Sequence, residues 1–195
     1  MTSRKAASGR NRLVEAAGRL FAAAGFEGVS TKQLAAEAGL SIGALYHHFP
    51  GKHAAYCAAL EWGVSRMAPA DAALFDSASV PRQQLEGLVA WFCAAISGPG
   101  IESQLLRLEL LDPHLDRRLS DLAPFSTAFG RFQDLMGQVA PQADAEQAVA
   151  AIVALSFGFV RLGGLKQEAP GFSARMRDPD EIAAAVIGIV LPPHD

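Results

Sequence analysis

Ser41, Tyr46, His47, His48 and Lys52 fall within a stretch of twelve residues. A hydroxyl, a phenol, two imidazoles and an ammonium at this density suit hydrogen bonding and charge pairing with phosphates. Between them stand Ile42, Gly43 and Ala44, which are apolar or small. Small residues let a helix approach the floor of a groove about 12 Å wide, and aliphatic ones can touch a thymine methyl group. On this reading Ser41, Ile42, Gly43, Ala44 and His47 point outward toward base edges. Ser41 can also bond a phosphate, and Tyr46, His48 and Lys52 stand ready to hold phosphates on either side.

Other chemistry finds less support. His53 and Cys57 are spaced i, i+4, but no second ligand pair at zinc spacing accompanies them, so no metal is expected. The chain has neither a phosphate-cradling Walker loop nor a dinucleotide-binding glycine motif. Ala154-Leu155-Ser156-Phe157-Gly158 lacks the first glycine of a nucleophile elbow and lies in a helical run with no strand before it. Asp112, His114 and Asp116 flank Pro113 and read as turn and capping residues. Neither enzymatic activity nor a cofactor is expected. Cys93 reads as a small buried hydrophobe.

Positioning of the outward-facing residues requires short, well-capped helices. Leu13, Ala16, Ala17, Leu20, Phe21 and Ala24 recur at helical spacing over Arg10 to Ala24, and Gly25 suits a left-handed stop. Ser30 with Gln33 makes a capping box for a helix from Thr31 to Ala38. Gly39 ends that helix, Leu40 returns to the core, and Ser41 caps a second short helix, Ile42 to His48. Two short helices joined by Gly39-Leu40-Ser41 are the sequence form of a helix-turn-helix, with Leu34, Ala35, Ala38, Leu40 and Leu45 as its small core. Pro50 and Gly51 stop the second helix, and a further helix runs from about Lys52 to Met67.

The run from Thr31 to Phe49, TKQLAAEAGLSIGALYHHF, resembles the helix-turn-helix signature of the tetracycline-repressor-like transcriptional regulators. Leu20 to Thr31 is similar to the end of that family's first helix, and Gly51-Lys52 to the start of its fourth. The resemblance covers roughly residues 8–68. It implies that Thr31 and Lys32 meet backbone phosphate, that Ser41, Ile42, Gly43 and Ala44 face bases, and that Tyr46, His48 and Lys52 clamp the backbone. Arg10 would reach an adjacent phosphate or minor groove. One departure stands out: Ile42 occupies a position where many relatives carry a polar side chain, and Ala44 offers no hydrogen bond. Methyl contacts and DNA shape are expected to carry more of the discrimination.

Charge supports that division. Residues 1–55 hold seven basic and three acidic side chains, a net of +4, whereas the remaining residues hold ten basic and seventeen acidic, a net of −7. A basic end on an acidic body suits a chain that meets polyphosphate at one end. The 195 residues are half apolar and 19% charged, which excludes a disordered tail, and two cysteines cannot make a disulfide scaffold. The longest apolar run, Ala148 to Val160, is too short to span a bilayer, so no membrane partner is expected. The N-terminus shows no signal-peptide pattern, which makes a cytoplasmic location the expectation.

The expected fold is all-α. Residues 8–68 would form a three-helix DNA-binding head with its helix-turn-helix, and 69–195 a helical regulatory and dimerisation body. Further helices are predicted near Pro81–Ser97, Glu102–Leu111, Asp116–Leu122, Ala123–Val139, Asp144–Lys166 and Asp180–Val190. The last two are apolar on most faces and must be buried all round, which favours a homodimer through 144–166 and 180–190 as a four-helix bundle. The family resemblance also points to dimerisation through its last two long helices. Trp62, Trp91, Phe92, Phe125, Phe129 and Phe157, with Phe132 and Met136, would fill a core or line an apolar cavity for an unknown small-molecule effector. Arg107 and Glu109 are its candidate polar anchors.

The expected function is that of a ligand-released repressor acting as a homodimer on double-stranded DNA with a palindromic operator. The rival is a helical interaction module whose basic end binds an acidic protein. Salt and sequence dependence of DNA binding separate the two.

Overall fold

A computed structural model describes residues 2–67, 80–111, 123–163 and 178–191. Among these residues there are nine helices and no strand. They are α1 (Thr2–Ala24), α2 (Thr31–Glu37), α3 (Ile42–His48), α4 (Lys52–Met67), α5 (Pro81–Ser97), α6 (Ile101–Leu111), α7 (Ala123–Val139), α8 (Ala145–Gly163) and α9 (Pro179–Val190). The all-α expectation holds. The helix predicted at Asp116–Leu122 lies outside the described residues. Helix α1 starts at Thr2, eight residues earlier than its apolar spacing marks.

The helix ends follow the capping chemistry of the sequence. The Ser30 hydroxyl accepts from the Gln33 N–H at 3.2 Å, and the Gln33 side-chain oxygen accepts from the Ser30 N–H at 2.8 Å, closing the box at the start of α2. Asp144 accepts from the N–H groups of Glu146 and Gln147, and Asp178 from that of Asp180, so both carboxylates cap α8 and α9 from outside. Gly25 and Gly39 take positive φ, 69° and 64°, where α1 and α2 end.

The helices fall into two compact units. The first contains α1 to α4 and α6. Leu13, Ala16, Ala17 and Phe21 of α1, Leu34 and Ala35 of α2, Leu45 of α3, and Ala55, Tyr56, Ala59 and Leu60 of α4 are all buried. Phe21, Phe26 and Tyr56 form an aromatic knot with ring centroids 4.9 to 5.9 Å apart. Helix α6 packs on α1 and α4, burying Leu105 and Leu106. Arg66 of α4 bonds Glu102 of α6 at 2.7 Å, and the Tyr56 hydroxyl donates to Glu109, whose carboxylate is fully buried.

The second unit contains α5, α8, α9 and α7 from Phe125 onward. Helix α5 packs on α8 and α9, and α8 packs on α9. Phe92 of α5 meets Phe132 of α7 and Phe157 of α8 edge-on at 6.4 and 6.2 Å. Arg131 of α7 donates to Gln84 of α5. Cys93 is buried against Ser156, and burial raises its thiol pKa, in keeping with a packing role.

Two stability effects follow. Tyr56→Phe keeps the ring stack but withdraws a donor from a buried carboxylate, which should cost about 1–3 kcal/mol in denaturant unfolding; an unchanged midpoint would show that the hydroxyl contributes nothing. The Glu102 carboxyl is held below its ordinary value by its own backbone N–H and by Arg66, against the opposing effect of partial burial. Its folded pKa is the depressed one, so its contribution is full above the unfolded value of about 4.5 and is lost as pH falls through the folded value. Glu102→Gln should therefore flatten the acid limb of a stability-versus-pH curve, and an identical limb in both proteins would contradict this.

Candidate nucleic-acid interface

The site is built on α2, the Gly39 turn and α3. The Gly39 N–H donates to the Ala36 carbonyl at 3.0 Å, and the Leu40 N–H to that of Ala35 at 2.9 Å. A left-handed residue is needed for this closure, and glycine adopts it without a steric penalty. Ser41 then caps α3, its Oγ accepting from the Ala44 N–H at 3.1 Å. Leu45 is fully buried and pins the helix from below.

Above that anchor the outward face is open. Ile42 is 44% exposed and Tyr46 53% exposed, one turn apart on the same side. A Cβ added at Gly43 would meet only the Ser41 Oγ, at 3.9 Å. Ala44 is half-buried and His47 is exposed. Thr31 opens α2, half-buried, and Lys32 beside it is exposed. Arg10 is exposed, and its guanidinium lies 5.3 Å from the Phe49 ring centroid, so α1 brings it to the end of α3.

Three of the residues expected to meet DNA also have contacts inside the protein. The Lys52 ammonium bonds the Phe26 carbonyl at 3.0 Å, sits 4.2 Å from the Phe26 ring centroid and lies 3.7 Å from Glu27. It ties the start of α4 to the connection between α1 and α2. His48 is half-buried, with its Nε2 3.1 Å from where a Cβ on Gly9 would stand. The Ser41 oxygen is occupied by the cap, which leaves its O–H as the outward donor. Sequence reasoning did not register Phe26 or Gly9, because no local motif marks a partner 26 or 39 residues away. It also passed over Arg12, which is exposed and flanks the turn, its Nη1 3.8 Å from the place of a Cβ on Gly39. A basic residue on the exposed side of α1 was the available signal.

The candidate effector residues divide between the units. Trp62 of α4 and Arg107 of α6 belong to the first. Trp62 stacks under Arg66 and packs against Gly18, and partial burial lowers the pKa of Arg107. Trp91, Phe92, Phe129 and Phe157 belong to the second, where Phe92 and Phe157 are brought together. The Phe125 side chain lies outside the described residues. Glu109 is taken up by Tyr56. Among the described residues, His53 and Cys57 approach within 3.8 Å, but no group of three metal-ligating side chains forms.

The geometry is that of a helix-turn-helix protein with a helical body. Residues 13–54 match the family model of bacterial regulatory proteins of the tetR family. No curated protein sequence matches the chain. Among solved structures, the chain is similar to transcriptional regulator FadR from Bacillus subtilis in complex with stearoyl-CoA (TM-score 0.67, 13% identity, 94% of this chain and 98% of that one). It is also similar to AibR in complex with isovaleryl coenzyme A and operator DNA (0.65, 19%, 95% and 100%) and to superantigen PfiT (0.68, 20%, 95% and 97%). Residues 13–54 thus carry the tetR-family helix-turn-helix match, and the chain has the tetR-like all-helical fold.

Gly39→Ala places a Cβ in a left-handed turn where it meets only the Arg12 Nη1 at ordinary contact distance, 3.8 Å, so the cost is conformational, about 1–2 kcal/mol. Chemical denaturation should show that loss, and equal stability of the two proteins would contradict the turn's role.

Proposed function

We propose that this protein is a transcriptional regulator that binds a palindromic operator as a homodimer and releases it when a small molecule occupies the body. The observation that carries the reading is α3: seven residues, capped, pinned by one buried leucine, and exposed along one face of a basic head. A helix presented in this way enters a major groove. Residues 8–68 are the DNA-binding head and 69–195 the regulatory body. Ser41, Ile42, Gly43, Ala44 and His47 face bases. Arg10, Thr31, Lys32 and Tyr46 hold phosphates, while Lys52 and His48 set the position of the elements that do so.

A single short helix contacts few base pairs, so discrimination calls for two heads about one helical turn of DNA apart. Helices α8 and α9 supply a surface for pairing. Val153, Leu155, Phe159 and Val160 are half-buried in one chain, and Ile189 is 58% exposed. A second copy would complete their burial. The Phe92, Phe132 and Phe157 cluster offers an apolar lining for an effector, and relatives of this fold hold acyl-CoA ligands. No helix among the described residues is long and apolar enough to cross a membrane. A non-enzymatic role in the cytoplasm fits these features.

Selection of bound sites from random duplex DNA tests the reading. A two-fold symmetric sequence should emerge, bound about 10³-fold or more tightly than a scrambled duplex. Its affinity should fall steeply with salt. Failure to enrich any sequence, or equal affinity for scrambled DNA, would overturn the proposal.

A further inference from the structure

We infer that α3 reads pyrimidine C5-methyl groups, so that the methyl of thymine, or of 5-methylcytosine, is the determinant at the bases beneath Ile42. This rests on the DNA-binding reading and adds what the head selects. The base-selective hydrogen-bond pairings in the major groove use Arg or Lys on guanine, Asn or Gln on adenine, and Asp or Glu on cytosine, while Ser or Thr bonds several bases without choosing among them. Helix α3, Ile-Gly-Ala-Leu-Tyr-His-His, contains none of the six base-selective residue types. Its capping hydroxyl, Ser41, spends its acceptor on the Ala44 N–H. Neighbouring polar groups on α2 are also committed: the Gln33 amide oxygen accepts from both the Ser30 N–H and its hydroxyl, and Glu37 pairs with Arg19.

Beside the His47 imidazole and the Ser41 O–H, what α3 presents at its tip is carbon. Ile42 stands on the first turn of the helix, 44% exposed, with the open surface of Gly43 beside it and Ala44 half-buried behind. Tyr46 adds an exposed ring one turn on. An aliphatic side chain exposed at the tip of a helix in the most basic part of the chain gains by covering a methyl group. In the major groove the C5-methyl is the one apolar feature a base pair displays. Cytosine lacks that group and 5-methylcytosine restores it, so the surface of Ile42 treats 5-methylcytosine more like thymine than like cytosine.

The experiment uses the full chain and the best duplex from the random-site selection. Each thymine is replaced in turn by deoxyuridine, which removes the methyl and leaves the base pairing unchanged. One or two positions in each half-site should lose about three- to fivefold in affinity per methyl, the scale of one buried methyl group. At those positions a C·G pair should bind more weakly than T·A, and 5-methylcytosine should recover a few-fold over cytosine. Ile42→Ala, whose exposed side chain lies outside the core, should bind thymine and deoxyuridine duplexes alike while keeping the wild-type melting curve.

Indifference of the wild type to deoxyuridine at every position, with discrimination against scrambled DNA retained, would overturn the inference and leave the DNA-binding reading standing. Unchanged deoxyuridine sensitivity in Ile42→Ala would overturn the assignment to Ile42. Absence of binding to any duplex would sink both.

Discussion

The head depends on one constraint: a seven-residue helix cannot hold itself. Helix α3 is far below the length at which an isolated helix persists in water. Its direction is set by Leu45 below, the Ser41 cap before it and the Gly39 turn behind. Those in turn need α1, α2 and α4 to stay in register, and the Phe21, Phe26 and Tyr56 rings join α1, the following connection and α4 in one contact. Lys52 adds a charged clasp on the same phenylalanine, bonding its carbonyl while resting on its ring. The apolar knot supplies the burial energy and the ammonium supplies direction.

The same logic explains why a polar pair is buried at all. Tyr56 belongs to the knot through its ring and to α6 through its hydroxyl, which meets the fully buried Glu109 carboxylate. An aliphatic pair would bury as much surface without that penalty. The hydrogen bond fixes the register of α6 against α4 in a way that apolar contact alone does not. Arg66 and Glu102 repeat the tie one end further along, nearer to solvent and correspondingly weaker.

Much of this was legible in local sequence. The Ser30–Gln33 box, the glycines at 25 and 39, the Ser41 cap and the bounds of α3, α4, α5 and α7 all rest on residues within a few positions of one another. The helix-turn-helix was therefore visible before any coordinates. The site's outward residues were legible in part: Ser41, Ile42, Gly43 and His47 are exposed as read from the sequence, whereas Ala44 is half-buried. The internal contacts of Lys52 and His48 were not legible, because Phe26 and Gly9 come from a separate helix and its connection. The Tyr56–Glu109 bond spans 53 residues and leaves no periodic trace. The division of Trp62 and Arg107 from the other aromatic candidates is likewise a property of packing, which neither composition nor spacing encodes.

Helix α6 belongs with α1 and α4, although α5, which precedes it in the chain, belongs to the other unit. The polypeptide therefore leaves the first unit after α4 and comes back to it. Loss of α6 with a cut between Met67 and Val80 would strip α1 and α4 of a neighbour that covers Gly18 and Gly63 and leave the Tyr56 hydroxyl without its carboxylate acceptor. A liberated N-terminal fragment would inherit a raw apolar flank, so the helix-turn-helix end of this molecule is not a detachable cartridge.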